Sequence, residues 1–151
     1  MIRVRLAKNE DSNEIFEWRN DPVTREMFIN SDIVKINEHR NYFESTLVNK
    51  NRCLFMCIDK NENKIGIVRF DLEDYEATIS INLNPNKRKL GLAKFCLKQS
   101  IIELRNLFSE IRILKAEIKD NNFASKKTFV EIGFKYEFKK DNMCYYQMNI
   151  K

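Results

Sequence analysis

The chain has 151 residues, 43% of them apolar, with eleven Phe but only three Gly and two Pro. This excludes a collagen-like, low-complexity or disordered protein and suits one domain, residues 1–151, with a core of its own. The formal charge of +5 arises from 27 basic and 22 acidic side chains interleaved along the whole length, which speaks against a nucleic-acid stripe or a charged tail.

Four cysteines (Cys53, Cys57, Cys96, Cys144) and one histidine (His39) show no metal-ligand spacing. Cys53 and Cys57 sit inside an apolar run, so all four read as buried free thiols, and no metal is expected. The opening Met1-Ile2-Arg3-Val4-Arg5-Leu6 lacks a signal-peptide core, and no apolar stretch is long enough for a membrane span. Reduced thiols add to the expectation of a cytoplasmic protein.

In chain order, Ile2, Val4 and Leu6 alternate with Arg3 and Arg5 as a half-buried strand. Asp11 and Glu14 have capping-box spacing ahead of a helix that carries Ile15 and Trp18, and Pro22 ends it near Asp21. A second helix from about Asn37 carries Tyr42, Phe43, Thr46 and Leu47. Strands follow at 52–59, 64–72 and 76–83. The last of these places Glu76, Thr78, Ser80 and Asn82 on one face, and Asn84-Pro85-Asn86 stops it.

The longest helix runs from Gly91 to about Phe108 with a stripe of Ala93, Leu97, Ile101, Leu104 and Phe108. A strand at 112–118, a helix at 122–132 closed by Gly133, and strands at 134–140 and 143–150 complete the chain. The expected class is α+β (mixed α/β): a mostly antiparallel twisted sheet of about seven strands flanked by about four helices.

The segment Asn84-Pro85-Asn86-Lys87-Arg88-Lys89-Leu90-Gly91-Leu92-Ala93 carries the chemistry. A strand stops, a basic tripeptide turns, and a long helix begins. The first turn of a helix presents unpaired N–H groups and partial positive charge, a ready anion site. Small residues at Gly91 and Ala93 let a phosphate approach the backbone, and Arg88 and Lys89 add charge beside it, so a diphosphate fits. A basic surface loop before an ordinary helix is the plainer alternative.

Arg88-x-x-Gly91-x-Ala93 resembles the Arg/Gln-x-x-Gly-x-Gly/Ala signature of GNAT N-acetyltransferases, and Asn122-Phe123-Ala124-Ser125 through Gly133-Phe134 resembles the late segment of that family. The resemblance extends over the whole chain. It implies a cleft where strands 76–84 and 112–118 splay apart, and acetyl-CoA as co-substrate. The pantothenate arm would lie along Asn82, Leu83 and Asn84, and the pyrophosphate on the amides of Arg88, Lys89, Leu90, Gly91, Leu92 and Ala93, with Asn122 and Ser125 close by. Such an enzyme must deprotonate an ammonium, polarise the thioester carbonyl and protonate the leaving thiolate.

Two positions depart from the family pattern. Thr78 stands where many relatives carry a strand Glu, which makes Glu76 the first candidate base and Asp71 the second. Phe129 stands where the general-acid Tyr is usual, leaving Ser125 and Tyr145, or Tyr146, as proton donors to the sulfur.

Glu17-Trp18-Arg19-Asn20-Asp21-Pro22 and Arg25, with Glu38-His39-Arg40-Asn41-Tyr42-Phe43 and Val68-Arg69-Phe70-Asp71, resemble the acceptor side of two GNAT groups. One acetylates amino-sugars on nucleotide carriers, the other protein N-termini. The resemblance makes Arg19, Arg25, His39, Arg69 and Asp71 candidate acceptor ligands, because guanidinium forks suit a diphosphate. The expected partner is a small-molecule amine, nucleotide-linked, with no nucleic acid and no membrane; a homodimer is an open possibility. A GNAT-like module that binds acyl-CoA without turnover is the reading from another class.

Overall fold

The computed structural model describes residues 1–28 and 31–150. Among these, seven strands form one sheet: β1 (Arg3–Leu6), β2 (Arg52–Ile58), β3 (Lys64–Glu73), β4 (Glu76–Leu83), β5 (Ile113–Lys119), β6 (Lys135–Lys140) and β7 (Met143–Asn149). Their spatial order is β1-β2-β3-β4-β5-β7-β6. Every neighbouring pair is antiparallel except β4 and β5.

Five α-helices accompany them: α1 (Ser12–Arg19), α2 (Pro22–Met27), α3 (Ile36–Val48), α4 (Ala93–Leu107) and α5 (Phe123–Glu131). This is the expected α+β architecture with one additional helix. Pro22 does end α1, but the chain re-enters a helix at once. The Asp21 side chain accepts from the Thr24 amide at 3.1 Å, and Pro22 takes the first helical position, where its missing N–H costs nothing.

Helices cover both faces of the sheet, so β2 reads as a continuous apolar run rather than an alternation. Cys53, Phe55 and Cys57 enter a large core with Cys96, Leu97, Ile101 and Leu104 of α4. Leu54, Met56 and Ile58 enter a smaller one with Ile15 and Trp18 of α1 and Phe43 of α3. All four cysteines are free and buried, and burial pushes the Cys53 thiol up to about 11. A bulge sets the facing of β3: Cys57 pairs with Gly66 and Ile58 with Lys64, leaving Ile65 as the extra residue. Ile65 therefore shares the large core with Val68 and Phe70, while Ile67 joins the smaller one.

The end of α5 follows the sequence signal closely. Gly133 sits at φ +116°. The Gly133 amide donates to the Val130 carbonyl and the Phe134 amide to the Phe129 carbonyl, and the Phe129 and Phe134 rings meet edge-on at 5.0 Å. These are the paired bonds and apolar clasp of a Schellman cap.

Asp11 departs from its expected part. No capping bond forms at the start of α1. Its carboxylate is buried and accepts both Arg5 guanidinium nitrogens at 2.8 and 2.9 Å and the Lys8 amide at 2.8 Å, and lies 2.8 Å from Lys64 Nζ. One side chain thus ties β1, β3 and the entry to α1 together. Burial alone would raise the Asp11 pKa, but the hydrogen bonds from Arg5 and Lys64 outweigh it and hold the carboxyl well below the usual range.

A depressed pKa contributes stability above the unfolded-state value, about 3.9, and that contribution fades as pH falls below it. Asp11→Asn is expected to cost roughly 2–4 kcal/mol at pH 7 and to flatten the acid limb of the stability profile, read by urea titration between pH 7 and pH 3. Equal acid slopes in both proteins would count against this network.

Candidate active site

β4 and β5 are bonded only through Glu76–Ile113, Ala77–Leu114 and Thr78–Lys115. Beyond Thr78 the strands separate, which leaves the β5-facing edge of Ile79–Leu83 without a strand partner. A cavity of about 280 Å³ opens there. Ile79, Ser80, Ile81 and Asn82 form one lip, and Glu117 and Ile118 the other. The N-cap residue Asn122 with Ser125 and Phe129 of α5 also line it, as do Arg19 of α1, His39 and Tyr42 of α3 and Arg69 of β3.

The cofactor side begins at the end of β4. Asn84 closes the strand with its own groups: its amide donates to the Ile65 carbonyl at 2.8 Å, its side-chain NH2 to the Lys64 carbonyl at 3.0 Å, and its side-chain oxygen accepts from the Asn86 amide. Asn84 therefore builds the turn, while Leu83 packs on the large core and Asn82 faces the cavity. Lys89 and Gly91 both have positive φ, +61° and +72°, the left-handed conformation that an anion-binding nest of backbone amides uses. A Cβ at Gly91 would meet nothing within 4 Å, which shows the space there is open. Helix α4 starts at Ala93, with Leu92 before it and no side chain capping the first amides. Free strand edge, nest and uncapped helix together fit a pantetheine diphosphate.

Arg88 differs from its expected placement as mobile charge beside that loop. Its guanidinium is held by Asp21 at 2.6 Å and by the Thr24 hydroxyl. The Arg88 hydrogen bond holds the Asp21 carboxyl below its ordinary range. The diphosphate loop is thereby strapped to α2, whose end supplies Met27 to the cavity wall, followed by Phe28. Lys119 Nζ donates to the Glu26 carbonyl at 3.0 Å and ties the same helix to the end of β5.

The candidate acid–base residues are scattered. Ser125 lines the cavity, its amide donating to the Asn122 side chain at 3.2 Å in the cap of α5. Phe129 is a buried wall and has no proton to give. Tyr145 lies opposite Glu117 in the β5–β7 register and stacks on Phe138 at 4.5 Å, outside the cavity lining. Tyr146 points into the large core, where burial raises its pKa. Glu76 lies where β4 and β5 are still joined, ion-paired with Lys115 at 3.0 Å, and is not part of the lining. Asp71 is also outside it, between Arg52 at 3.3 Å and Arg69 at 3.2 Å.

On the acceptor side the structure unites Arg19, His39 and Arg69 but leaves Arg25 on α2 away from the lining. His39 is buried between the Phe16 and Phe43 rings, and its Nε2–H donates to the Ser12 carbonyl at 2.9 Å. Burial lowers its pKa, so it stands as a neutral wall residue at pH 7. Two lining residues were not singled out from the sequence: Tyr42, within the segment expected on the acceptor side, and Glu117. Tyr42 accepts from Arg69 at 2.8 Å and lies under the guanidinium groups of Arg19 at 5.1 Å and Arg52 at 5.6 Å. Glu117 is the one carboxylate among the described lining residues. Its outward position in the alternating strand 112–118 was the available signal.

The strap between Arg88 and Asp21 yields a prediction. A partly buried ion pair of this kind is worth about 1 kcal/mol. If Asp21 competes with ligand phosphates for Arg88, Asp21→Asn should tighten coenzyme A binding by roughly fivefold in calorimetry. Unchanged or weaker binding would show that the Arg88 guanidinium does not serve the ligand phosphates.

Comparison with known proteins fixes the family. The model of the acetyltransferase (GNAT) domain family matches residues 2–135. No curated protein matches the sequence. Among solved structures, a domain from Methanocaldococcus jannaschii superposes with a TM-score of 0.86 at 23% identity, covering 99% of each chain. Spermidine N-acetyltransferase from Vibrio cholerae, in complex with CoA and spermine, gives 0.84 at 14% identity over 99% of this chain and 94% of that one. An N-acetyltransferase from Staphylococcus aureus gives 0.81 at 24% identity over 100% and 99%. At these identities the likeness establishes the fold, and the family match goes further. The splayed strands, the uncapped helix and the match over residues 2–135 have one explanation: the chain belongs to the GNAT family of acetyl-CoA-dependent N-acetyltransferases.

Proposed function

We propose that this enzyme acetylates a primary amine on an acceptor that also carries an anionic group, with a nucleotide-linked amino-sugar as the substrate class. The observation that supports this is the positive charge of the cavity lining around Tyr42. Arg19, Arg52 and Arg69 converge on Tyr42, and Asp71 is the only carboxylate paired with any of them among the described residues. Arg19 and Arg69 both line the cavity. Guanidinium groups stacked on a ring, with spare donors, suit phosphate oxygens. A polycation such as the spermine bound by the Vibrio cholerae relative would meet like charge here. A cationic protein N-terminus, the second reading, would meet the same repulsion.

The chemistry divides among the residues present. Acetyl-CoA supplies the thioester. An unpaired β4 amide at the splay is the donor available to the carbonyl oxygen as it gains charge. A thiol with a pKa near 8.5 leaves as thiolate without a strong acid, which makes Phe129 in place of a tyrosine tolerable. The Ser125 hydroxyl is the nearby donor that lines the cavity.

The test is thiol release from acetyl-CoA across UDP-linked amino-sugars, free amino-sugars, ribosomal N-terminal peptides, polyamines and aminoglycosides. Turnover is expected with the nucleotide-linked amines. Arg19→Ala and Arg69→Ala should each raise KM for these acceptors about tenfold or more, since a charge-assisted hydrogen bond is worth about 1.5–3 kcal/mol. KM for acetyl-CoA should stay unchanged. Preferred turnover of polyamines or peptides would overturn the acceptor class, and coenzyme binding without transfer to any amine would favour a non-catalytic module.

A further inference from the structure

We propose that Glu117 is the group that takes the proton from the acceptor ammonium. This rests on the acetyl-transfer reading above and assigns one of its steps. Glu117 is the only carboxylate lining the cavity among the described residues, and it stands on the β5 lip, across the splay from Ile79–Asn82.

The other acidic side chains nearby are engaged. Asp71 is shared by Arg52 and Arg69, and Glu76 is held by Lys115. No hydrogen bond or ion pair within the described residues engages Glu117. The lysines two positions before and after it on β5 are turned to other partners: Lys115 to Glu76, and Lys119 to the Glu26 carbonyl at 3.0 Å. The other titratable or charged side chains lining the cavity are Arg19 from α1, His39 and Tyr42 from α3 and Arg69 from β3, and the Tyr42 hydroxyl accepts from Arg69; Tyr145, opposite Glu117 in the β7 pairing, lies outside the lining. Arg19 and Arg69 are permanent cations and His39 is neutral with its Nε2–H committed to Ser12. None of these lining groups is a carboxylate able to draw an ammonium to the splay.

The step balances without any further reagent. The ammonium passes one proton to the Glu117 carboxylate, directly or through one water. The freed amine lone pair forms the C–N bond to the acetyl carbon, and the C–S bond breaks. The second amine proton goes to the departing sulfur, giving amide and free thiol. Glu117 is solvent-exposed, so it returns its proton to water and is ready for the next turn. The same carboxylate attracts the ammonium end of an acceptor whose anionic end lies at Arg19 and Arg69, which orients a molecule carrying both charges across the cavity.

The experiment compares the full-length chain with Glu117→Gln, using acetyl-CoA and a UDP-linked amino-sugar between pH 6 and pH 10. Positioned proton transfer contributes about 10²–10⁴-fold. At pH 7, kcat should fall by roughly 10²-fold or more while the calorimetric affinity for acetyl-CoA holds. The deficit should narrow as pH passes the pKa of the amine, because solution then supplies the free base. A merely structural role would leave the deficit independent of pH. The proposal is overturned if kcat stays within about threefold of the unaltered chain, if the loss is equal at every pH, or if Glu76→Gln produces the loss instead. In each of these cases the unaltered chain still transfers acetyl and the acetyltransferase reading stands. Absence of transfer by the unaltered chain to any amine overturns both.

Discussion

The parallel pair β4–β5 comes apart after three residue pairs, and the rest of the site depends on that separation. Parallel strands need a long crossover, here α4, which returns the chain from the end of β4 to the start of β5. The two strands therefore have their carboxyl ends on the same side, and each is followed there by the first turn of a helix, α4 or α5. Ligands of such sheets gather at the carboxyl ends of parallel strands where neighbours diverge. The divergence leaves the β5-facing edge of β4 beyond Thr78 without a strand partner, and no side chain caps the first amides of α4, the helix that follows β4. The open sheet edge inside the molecule is thus the feature that the proposed cofactor site is built on.

The second organising feature is the way acceptor-side helices are fastened to this opening. Asp11 anchors the entry to α1 on β1 and β3 through Arg5 and Lys64. Arg88 in the diphosphate loop grips Asp21 and Thr24 at the start of α2, and Lys119 at the end of β5 grips its last turn. Helix α2 is thereby held from both sides of the splay. Arg88, in the loop before α4, and Met27, on the cavity wall, are thus joined through one short helix.

Much of the fold was legible in the sequence because periodicity reports burial. The alternation of residues 76–83, the run at 52–59 and the stripe of the long helix appear as β4, β2 and α4. The α4 stripe shifts toward Cys96 and Ser100, with Ala93 and Phe108 at its margins, since a hydroxyl and a thiol can face a core when the neighbouring strand is close. Helix α2 was missed because Pro22 was weighed as a stop and not as a first helical residue after an Asp cap. The diphosphate loop carried a local signal in Gly91 and its basic neighbours. The partners of Arg88, Glu76 and Asp71 did not, since each is chosen by strands and helices far away in the chain. Glu117 acquires its meaning only when β5 is seen to border an opening.

The reading of the site has the splay and the α4 N-terminus together holding acetyl-CoA. Amide hydrogen exchange with and without acetyl-CoA tests it most directly. New protection is expected in Ile79–Leu83 and in the amides from Arg88 to Ala93, with little change in β1 or β2. Protection elsewhere, with those two segments exchanging as freely as before, would contradict it.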